Sequence, residues 1–414
     1  MRNLYPADWR IVTLGDITTL SQYGINSPSG EGSTYPMLRM NNIQSGSLDT
    51  KNLMYVELGS DEFEKFRLYP DDILINRTNS LELVGKSSIF RLSGDFVFAS
   101  YLVRFRLIDE ALPLYIHYYL NSEMGQQTLT SLATKGVSQA NINPTTLKKR
   151  FVIPLPPLPE QRAIAAILST WDEALTLTKR LIDALKRRKA ALMQLLLTGE
   201  VRFSEFDGAW EIVELTDLGK TYAGLSGKSA NDFGKGKRYI PYMNIFSNSV
   251  INPDWTQLVQ VSEHERQNQV QYGDIFFTTS SETPDEVGMS AVLLNAVQDV
   301  YLNSFCFGFR LHNFEKLLPE YARFLFRSKE FRQQIFALAQ GSTRYNLSKR
   351  ELMKMIVELP NKNEQIKNAD VLSHAEIMID SLVQHRGHLI TQKRGLMQQL
   401  LTGAIRVQGG EVAE

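Results

Sequence analysis

Two segments of the chain have apolar residues at alternating steps of four and three, the spacing of a long helix with one apolar stripe. Each follows a proline-containing stretch, PLPPLPEQ at 154–161 and LPNKNEQ at 359–365, and each ends in Thr-Gly. Proline suits the start of a helix and glycine the position just past its end, so each segment predicts a helix of about 38 residues. The stripes have eight and seven apolar members, and their positions are Ile164, Leu168, Trp171, Leu175, Thr178, Ile182, Leu185, Lys189, Leu192 and Leu196 in the first, and Asn368, Leu372, Ala375, Ile379, Leu382, Arg386, Leu389, Lys393, Leu396 and Leu400 in the second.

Each stripe needs a partner that buries it. A helix of about 38 residues is roughly 57 Å long at 1.5 Å per residue, which is too long for the interior of an ordinary domain. The simplest partner is the other long helix, and the chain order of globule, helix, globule, helix favours antiparallel pairing. The alternative is that each helix folds back onto its own globular part.

The chain repeats itself over its whole length. Residues 152–203 align with 356–407 without a gap, and 17 of the 52 positions are identical. The beginnings of the two halves also match, since WRIVTLGDI from Trp9 corresponds to WEIVELTDL from Trp210. One unit of roughly 200 residues therefore occurs twice, as a variable globular part followed by a better-preserved tail.

The globular parts are predicted to be mixed α and β. Short runs rich in β-branched and aromatic residues predict strands, and two longer runs with helical spacing and proline in the first turn predict helices. The strand runs are DILIN (72–76), FVFASYLVRFRL (96–107), DIFFTTS (274–280) and SFCFGFRL (304–311), and the helical runs are 113–133 and 319–339.

The loops between these elements are unusually polar. They include LRMNNIQSG (38–46), NRTNS (76–80), GVSQAN (136–141), TTSSET (278–283) and GSTRYN (341–346). Arginine can pair with guanine, and asparagine or glutamine with adenine, so these loops are candidates for reading DNA bases. The alternative is that surface loops are simply polar. NRTNS and TTSSET follow the same strand in the two halves but differ in sequence, which favours two different targets on one scaffold.

Composition limits the class of protein. The 414 residues include 45 basic and 45 acidic side chains, so a nucleic-acid partner would be held through local patches or with the help of another protein. The single cysteine, Cys306, cannot form an internal disulfide, and the first residues have no apolar stretch of a secretory signal. No apolar run approaches the roughly 20 residues that span a bilayer. We therefore expect a cytoplasmic protein without a membrane partner.

The sequence offers little catalytic chemistry. GLSGKS at 224–229 resembles a phosphate-binding loop, but Tyr222 stands where that loop needs glycine. His385 and His388 lie three apart on a predicted helix and are interpreted as surface residues rather than metal ligands. Asp71, Asp72 and Asp274 could suggest an acidic nuclease site, but they are interpreted as residues of Pro-Asp-Asp and Gly-Asp turns before a strand. KRRK at 186–189 is interpreted as a solvated or partner-facing stripe, so we expect no catalytic site and no metal site.

The chain resembles the specificity subunit of type I restriction and modification enzymes. The segments that carry this resemblance are PLPPLPEQRAIAAIL, the helix ending LMQLLLTG, and WRIVTLGDI with LRMNNI downstream. The resemblance covers essentially the whole chain, although the second tail reads ELPNKNEQ and has Asn368 and Arg386 in its stripe. It implies an α+β protein with two mixed α/β target recognition domains, related by pseudo-twofold symmetry and joined by two long antiparallel coiled-coil helices. The expected boundaries are 1–153 for the first recognition domain, 154–203 for the first spacer helix, 204–358 for the second recognition domain, and 359–414 for the second spacer helix and tail.

The resemblance also implies partners. Each recognition domain would read one half of a split double-stranded DNA target, and the helices would dock two modification (methyltransferase) subunits, with restriction subunits joining in the full complex. The chain itself would be non-catalytic and hold no cofactor, and S-adenosylmethionine is expected in the methyltransferase partner. The alternatives are a non-catalytic coiled-coil protein scaffold and a stand-alone nuclease or methyltransferase.

The loops at matching positions supply the candidate DNA-binding residues. For one half-site these are Arg39, Asn41, Asn42, Arg77, Asn79, Ser138, Gln139 and Asn141. For the other they are Asn244, Thr279, Ser280, Ser281, Arg344, Tyr345 and Asn346. Lys86, Lys135 and Lys228 are candidates for phosphate contacts, which position a protein on DNA without specifying the sequence.

Overall fold

The computed structural model describes residues 5–26, 34–136, 139–341 and 344–407. The chain divides into two compact units, which are Met1–Lys179 with Gln384–Glu414, and Arg180–Val383. Each unit therefore contains one globular part, the beginning of one long helix and the end of the other.

The strands of the described residues are short, as expected for runs of alternating or fully buried β-branched and aromatic residues. Those of the first globular part are β1 (Arg10–Thr13), β2 (Thr18–Tyr23), β3 (Tyr35–Leu38), β4 (Ile43–Gln44), β5 (Ser47–Leu48), β6 (Met54–Val56), β7 (Ile73–Asn76), β8 (Thr78–Asn79), β9 (Ser87–Ile89), β10 (Val97–Phe98), β11 (Leu102–Leu107), β12 (Thr134–Lys135), β13 (Ala140–Asn141) and β14 (Val152–Leu155). Those of the second are β15 (Glu211–Glu214), β16 (Gly219–Ala223), β17 (Phe233–Ile240), β18 (Gln257–Val259), β19 (Ile275–Thr278), β20 (Ser280–Ser281), β21 (Ser290–Val292), β22 (Val300–Leu302), β23 (Cys306–Leu311), β24 (Tyr345–Asn346) and β25 (Ile356–Leu359).

The helices include the two long ones predicted from the apolar stripes. In chain order they are α1 (Ser60–Phe66), α2 (Pro113–Asn121), α3 (Glu123–Leu132), α4 (Pro144–Arg150), α5 (Leu158–Leu197), α6 (Leu215–Leu218), α7 (Tyr242–Ser247), α8 (Pro319–Leu325), α9 (Lys329–Leu338), α10 (Lys349–Met353) and α11 (Lys362–Leu401), with 3-10 turns at Met40–Asn42 and Ala230–Asp232. α5 and α11 each have 40 residues. Gly199 and Gly403 follow them at φ values of 71° and 72°, a left-handed conformation that glycine adopts without strain.

The two globular parts have the same sheet order. In the first, an antiparallel sheet of order β2-β11-β7-β9 lies beside the sheet β10-β3-β6 and the pair β1-β14. In the second, the corresponding sheets are β16-β23-β19-β21, β18-β17-β22 and β15-β25. Helices α2 and α8 occupy equivalent positions and contribute the buried rings of Tyr115 and Tyr321 to the two main cores. The prediction of mixed α/β globular parts is confirmed.

In the first unit, the beginning of α5 pairs with the end of α11. Ile164 and Leu168 are buried in the core of the globular part together with Leu400 and Leu401. The Lys393 ammonium group forms an ion pair with Asp172 across the two helices. The helices are antiparallel, because residues with increasing numbers along α5 contact residues with decreasing numbers along α11.

The second unit repeats this arrangement with the roles of the helices exchanged. Leu196 at the end of α5 is buried with Leu372 of α11, and Lys189 forms an ion pair with Glu376. Asn368, a polar member of the predicted stripe, is buried and donates from Nδ2 to the Leu196 carbonyl at 3.3 Å. Both alternatives drawn from the sequence thus hold in part, because the helices pair with each other and their ends also pack on the globular parts.

A buried glutamate at the start of each long helix accepts hydrogen bonds from an arginine that lies just beyond the end of the other long helix. Arg406 contacts both carboxylate oxygens of Glu160, at 2.7 and 2.9 Å, and Arg202 contacts both oxygens of Glu364, at 2.8 and 2.7 Å. Hydrogen bonds to these carboxylates raise the pKa of Arg406 and of Arg202 above the usual range. The Trp9 indole also donates to Glu160, at 3.0 Å. Two planar hydrogen bonds to a carboxylate make each contact geometrically specific.

The glutamine that follows each of these glutamates fastens the helix to the globular part. The Gln161 amide accepts from the Leu112 N–H at 2.8 Å and donates to the carbonyls of Glu110 and Pro156, both at 2.9 Å. Gln365 makes the same three bonds in the second unit, to the equivalent backbone groups. The shared Glu-Gln pair of the two tails is therefore explained by two repeated buried contacts.

No helix in the described part of the chain is both long enough and apolar enough to cross a membrane. Within the same residues, His, Cys, Asp and Glu side chains form no group of three that is arranged to hold a metal ion.

Replacing Gln161 or Gln365 with leucine should destabilise the protein by about 1–3 kcal/mol, because the backbone groups bound by each amide would stay buried without partners. Urea denaturation followed by circular dichroism measures the change. Gln384→Leu is the control, since Gln384 is exposed on α11 and its replacement should change stability by less than about 0.5 kcal/mol. Unchanged midpoints for Gln161→Leu and Gln365→Leu would contradict the proposed fastening role.

Candidate nucleic-acid interface

Two polar loops of the first globular part are joined by short antiparallel strands. The loop after β7 forms β8, which pairs with β13 so that Thr78 lies opposite Asn141 and Asn79 lies opposite Ala140. β12 pairs with the other side of β13 and brings Lys135 to the same small sheet. Loops that are about 60 residues apart in the sequence therefore form one polar edge, which we call edge 1 and define as residues 77–80, 134–136 and 139–141.

The second globular part joins the corresponding loops in the same way. β20 pairs with β24, so that Ser280 lies opposite Asn346 and Ser281 lies opposite Tyr345. We define residues 279–283, 341 and 344–346 as edge 2. Each edge extends from the equivalent end of the main sheet of its own globular part, because edge 1 begins where β7 ends and edge 2 begins where β19 ends.

Arg77 is held in place at the start of edge 1. Its Nε donates to the Ser100 carbonyl at 3.0 Å, and its guanidinium carbon lies 4.9 Å from the centre of the Tyr23 ring. One terminal nitrogen lies 3.5 Å from Asn141 Oδ1, the limit of a hydrogen bond. A guanidinium with a fixed plane and donors left for a ligand is suited to bidentate recognition.

Most of the predicted residues are accessible. The exposed ones are Asn41, Lys135, Gln139, Asn141, Arg344 and Asn346, and the half-buried ones are Arg39, Arg77, Asn79, Lys86, Thr279, Ser280 and Tyr345. Ser138 lies outside the described residues. Arg39 and Asn41 belong to the turn after β3, whose last carbonyl, that of Leu38, accepts from the Ala99 N–H at 2.9 Å.

The structure corrects the prediction for Asn42 and Asn244. Asn42 is 2% exposed. Its side-chain amide accepts a hydrogen bond from the Arg39 N–H and donates one to the Asp49 carbonyl. Asn244 is fully buried, and its amide donates to the carbonyls of Asn252 and Trp255, both at 2.8 Å. Both side chains stabilise a turn from inside, so neither faces a ligand.

Lys228 and Ser281 are also corrected. The Lys228 side chain is 5% exposed and donates to the Gln260 carbonyl at 2.6 Å while forming an ion pair with Glu265. The hydrogen bond from Lys228 lowers the pKa of Glu265 to about 2. Ser281 is buried, and its hydroxyl donates to Glu286 at 3.2 Å. These contacts are internal, so Lys228 is not a phosphate contact in this structure.

Ion pairs between a buried aspartate and a half-buried arginine support the other end of the strands that lead to the edges. Asp72 accepts a hydrogen bond from the Tyr69 N–H at 2.9 Å and two from the Arg106 guanidinium group, at 2.6 and 3.1 Å. Asp274 accepts from the Gln271 N–H at 2.7 Å and receives Arg310 at 2.7 and 2.6 Å. The interpretation of the two aspartates as turn residues is confirmed.

Sequence reasoning missed three exposed aromatic side chains at the same end of the two main sheets. Tyr23 ends β2, Tyr101 precedes β11, and Phe305 precedes β23. A signal for two of them was present in the repeat, since SYLVRFRL and SFCFGFRL place Tyr101 and Phe305 at matching positions. The signal for Tyr23 was weaker, because the second half has no aromatic residue at the end of β16.

Comparison with known proteins gives one consistent result. The family model described as the type I restriction modification DNA specificity domain matches twice, over residues 6–187 and 208–388. The putative type I restriction enzyme MjaX specificity subunit of Methanocaldococcus jannaschii is 26% identical over 425 residues, which cover 97% of this chain and 95% of that protein.

Two solved structures share the fold. The type I restriction-modification S subunit from M. genitalium is 17% identical, with a TM-score of 0.55 and coverage of 95% of this chain and 96% of that one. A chain from a structure on complex assembly and conformational transition of the type I system is 18% identical, with a TM-score of 0.62 and coverage of 97% and 99%.

Replacing Asn42 or Asn244 with alanine should lower stability by about 1–3 kcal/mol, because the buried backbone groups lose their amide partner. Thermal or urea unfolding measures this loss. Asn41→Ala is the matched control, since Asn41 is the exposed neighbour of Asn42, and it should change stability by less than about 0.5 kcal/mol. Equal stability of Asn41→Ala and Asn42→Ala would show that the buried amide has no structural role.

Proposed function

The chain belongs to the family of type I restriction-modification DNA specificity subunits and has two specificity domains, and from this premise we propose that it reads a bipartite double-stranded DNA target. Each globular part contacts one half-site through its polar edge. The bases between the half-sites are not read. Selection of the target is a binding task in this proposal, and the chain itself performs no catalysis.

The observation that carries the proposal is the equivalent construction of the two edges. In both units a short strand after the main sheet pairs with a strand that follows a helix, β8 with β13 and β20 with β24. The scaffold is the same, but side chains at matching positions differ, with Arg77 and Gln139 on one edge and Thr279 and Arg344 on the other. Base identity is read by side-chain hydrogen bonds, so different side chains on one scaffold suit two different half-sites.

The long helices are proposed as the docking surface for two modification subunits. Each unit pairs the beginning of one long helix with the end of the other, so the same helix pairing occurs twice. Apolar side chains on these helices are exposed, including Leu177, Leu181, Ile377 and Met378. Exposed apolar side chains grouped on a helix favour contact with another protein. Two copies of one partner match a helix pair that occurs twice.

In this proposal the chemistry belongs to the partners. The modification subunits bind S-adenosylmethionine and transfer its methyl group to DNA, and restriction subunits join the same core for cleavage. The role of this chain is to place those subunits at the selected sequence. The neutral total charge of the chain agrees with DNA binding that is shared with partner subunits.

Arg77→Ala should relax or abolish recognition of one half-site and leave the other unchanged, and Arg344→Ala should do the same for the other half-site. Loss of one bidentate base contact costs about 1–3 kcal/mol of discrimination, or roughly 5-fold to 150-fold. Genome-wide mapping of methylated adenines, in cells that express each variant with the modification partner, measures the effect.

The two variants are matched controls for each other, because each removes one accessible arginine from one edge. An equal loss at both half-sites for either variant would count against independent domains. An unchanged methylated sequence for both variants would count against the two edges as the reading surface.

A further inference from the structure

Tyr101 and Phe305 are exposed rings at the same turn of the two units. The Tyr101 side chain is 45% exposed and that of Phe305 is 60% exposed. Each turn is fixed to the first residue of the adjacent edge, since the Arg77 N–H donates to the Tyr101 carbonyl and the Thr279 N–H donates to the Phe305 carbonyl, both at 2.9 Å. Both rings therefore lie beside the edge that is proposed to contact DNA.

Exposure alone says little, because single apolar residues are common on protein surfaces. The informative feature is what changes around the rings. At this end of the main sheet, Arg77 of the first unit is replaced by Thr279 in the second, and Tyr23 at the end of β2 corresponds to the small residue Ala223 at the end of β16. An aromatic ring is nevertheless kept at the position that Tyr101 and Phe305 share.

A group that reads base identity has to change when the half-site changes. A group that is kept on both edges contacts a feature that both half-sites have in common. Phe305 has no hydroxyl, so the shared contact is made by the ring itself. Every base has a π face on which an aromatic ring can stack, and such stacking tolerates any sequence. Side chains that enter a duplex unstack a base step, and enzymes that modify a base must extrude it, so a base face becomes available at the site.

We propose that Tyr101 and Phe305 each stack on a base face of their half-site and provide a contact that adds affinity without selecting the sequence. The inference rests on the proposed function and deepens it by separating two kinds of residue at each edge. Arg77 and the polar residues that differ between the two edges select the bases. The two rings hold the opened duplex at each half-site.

The test uses the full chain in complex with its modification partner and a duplex that contains the methylated sequence. Tyr101→Ala and Phe305→Ala should weaken binding about 5-fold to 150-fold in gel-shift titrations, the range for loss of one base stacked on an aromatic ring. Tyr101→Leu and Phe305→Leu, which retain an apolar side chain without a π face, should show a similar loss. Tyr101→Phe and Phe305→Tyr should bind as the wild type does. The methylated sequence should be the same for all six variants.

Tyr69→Ala and Tyr272→Ala are the matched controls. Both tyrosines are similarly exposed, at 40% and 42%, but they precede β7 and β19 and so lie at the opposite end of the strands from the edges. These controls should bind within about 2-fold of the wild type.

Three results would overturn the inference. Binding by the alanine and leucine variants within about 2-fold of the wild type would show that the rings make no contact of this kind. A changed base in one half-site would show that the ring reads sequence. If the wild-type complex bound every duplex equally, the proposed function would fail together with this inference. Sequence-dependent wild-type binding with insensitive ring variants overturns this inference alone.

Discussion

The architecture depends on two buried carboxylates, Glu160 and Glu364, each of which is matched by an arginine from beyond the end of the other long helix. A buried carboxylate without a partner is strongly destabilising. The Glu160 carboxylate meets Arg406, and the Glu364 carboxylate meets Arg202. Each compact unit is thus complete only when both long helices contribute to it. The end of the second long helix therefore belongs to the first unit, although it lies at the other end of the sequence.

The contacts that join the long helices to the globular parts are the same in the two units, whereas the polar edges differ between them. The glutamate, the following glutamine and the helix-crossing ion pairs occur in both units with the same geometry. The polar edges lie at the end of the main sheet, beyond β7 and β19, and most of their side chains are accessible. Because those side chains add little to the core, they can change without loss of the fold. The ion pairs of Asp72 with Arg106 and of Asp274 with Arg310 fix the opposite ends of the same strands.

Much of the fold was predictable from local pattern. The apolar stripes predicted two long helices, because spacing of four and three is visible within one segment. The repeat predicted two similar units, and the Pro-Asp-Asp and Gly-Asp turns predicted the structural role of Asp72 and Asp274. These features depend on residues that are close in the sequence or on direct comparison of the two halves.

The site was less predictable because its contacts are distant in the sequence. Pairing of β8 with β13 joins segments about 60 residues apart, and a strand of two residues leaves no periodic signal. Asn42 and Asn244 resemble base-reading residues in composition, and only their burial shows that they support turns. Their presence at matching positions was a usable signal, because both units need the same amide contact inside this turn. Lys228 offered no such signal, since its partner Glu265 is 37 residues away.

The central claim is that each unit reads its own half-site on a shared scaffold. The most direct measurement exchanges residues 204–355 for the corresponding segment of another family member and maps methylated adenines in cells that express the hybrid with its modification partner. One half of the methylated sequence should change to that of the donor while the other half stays the same. A change in both halves, or no change in either, would contradict this claim.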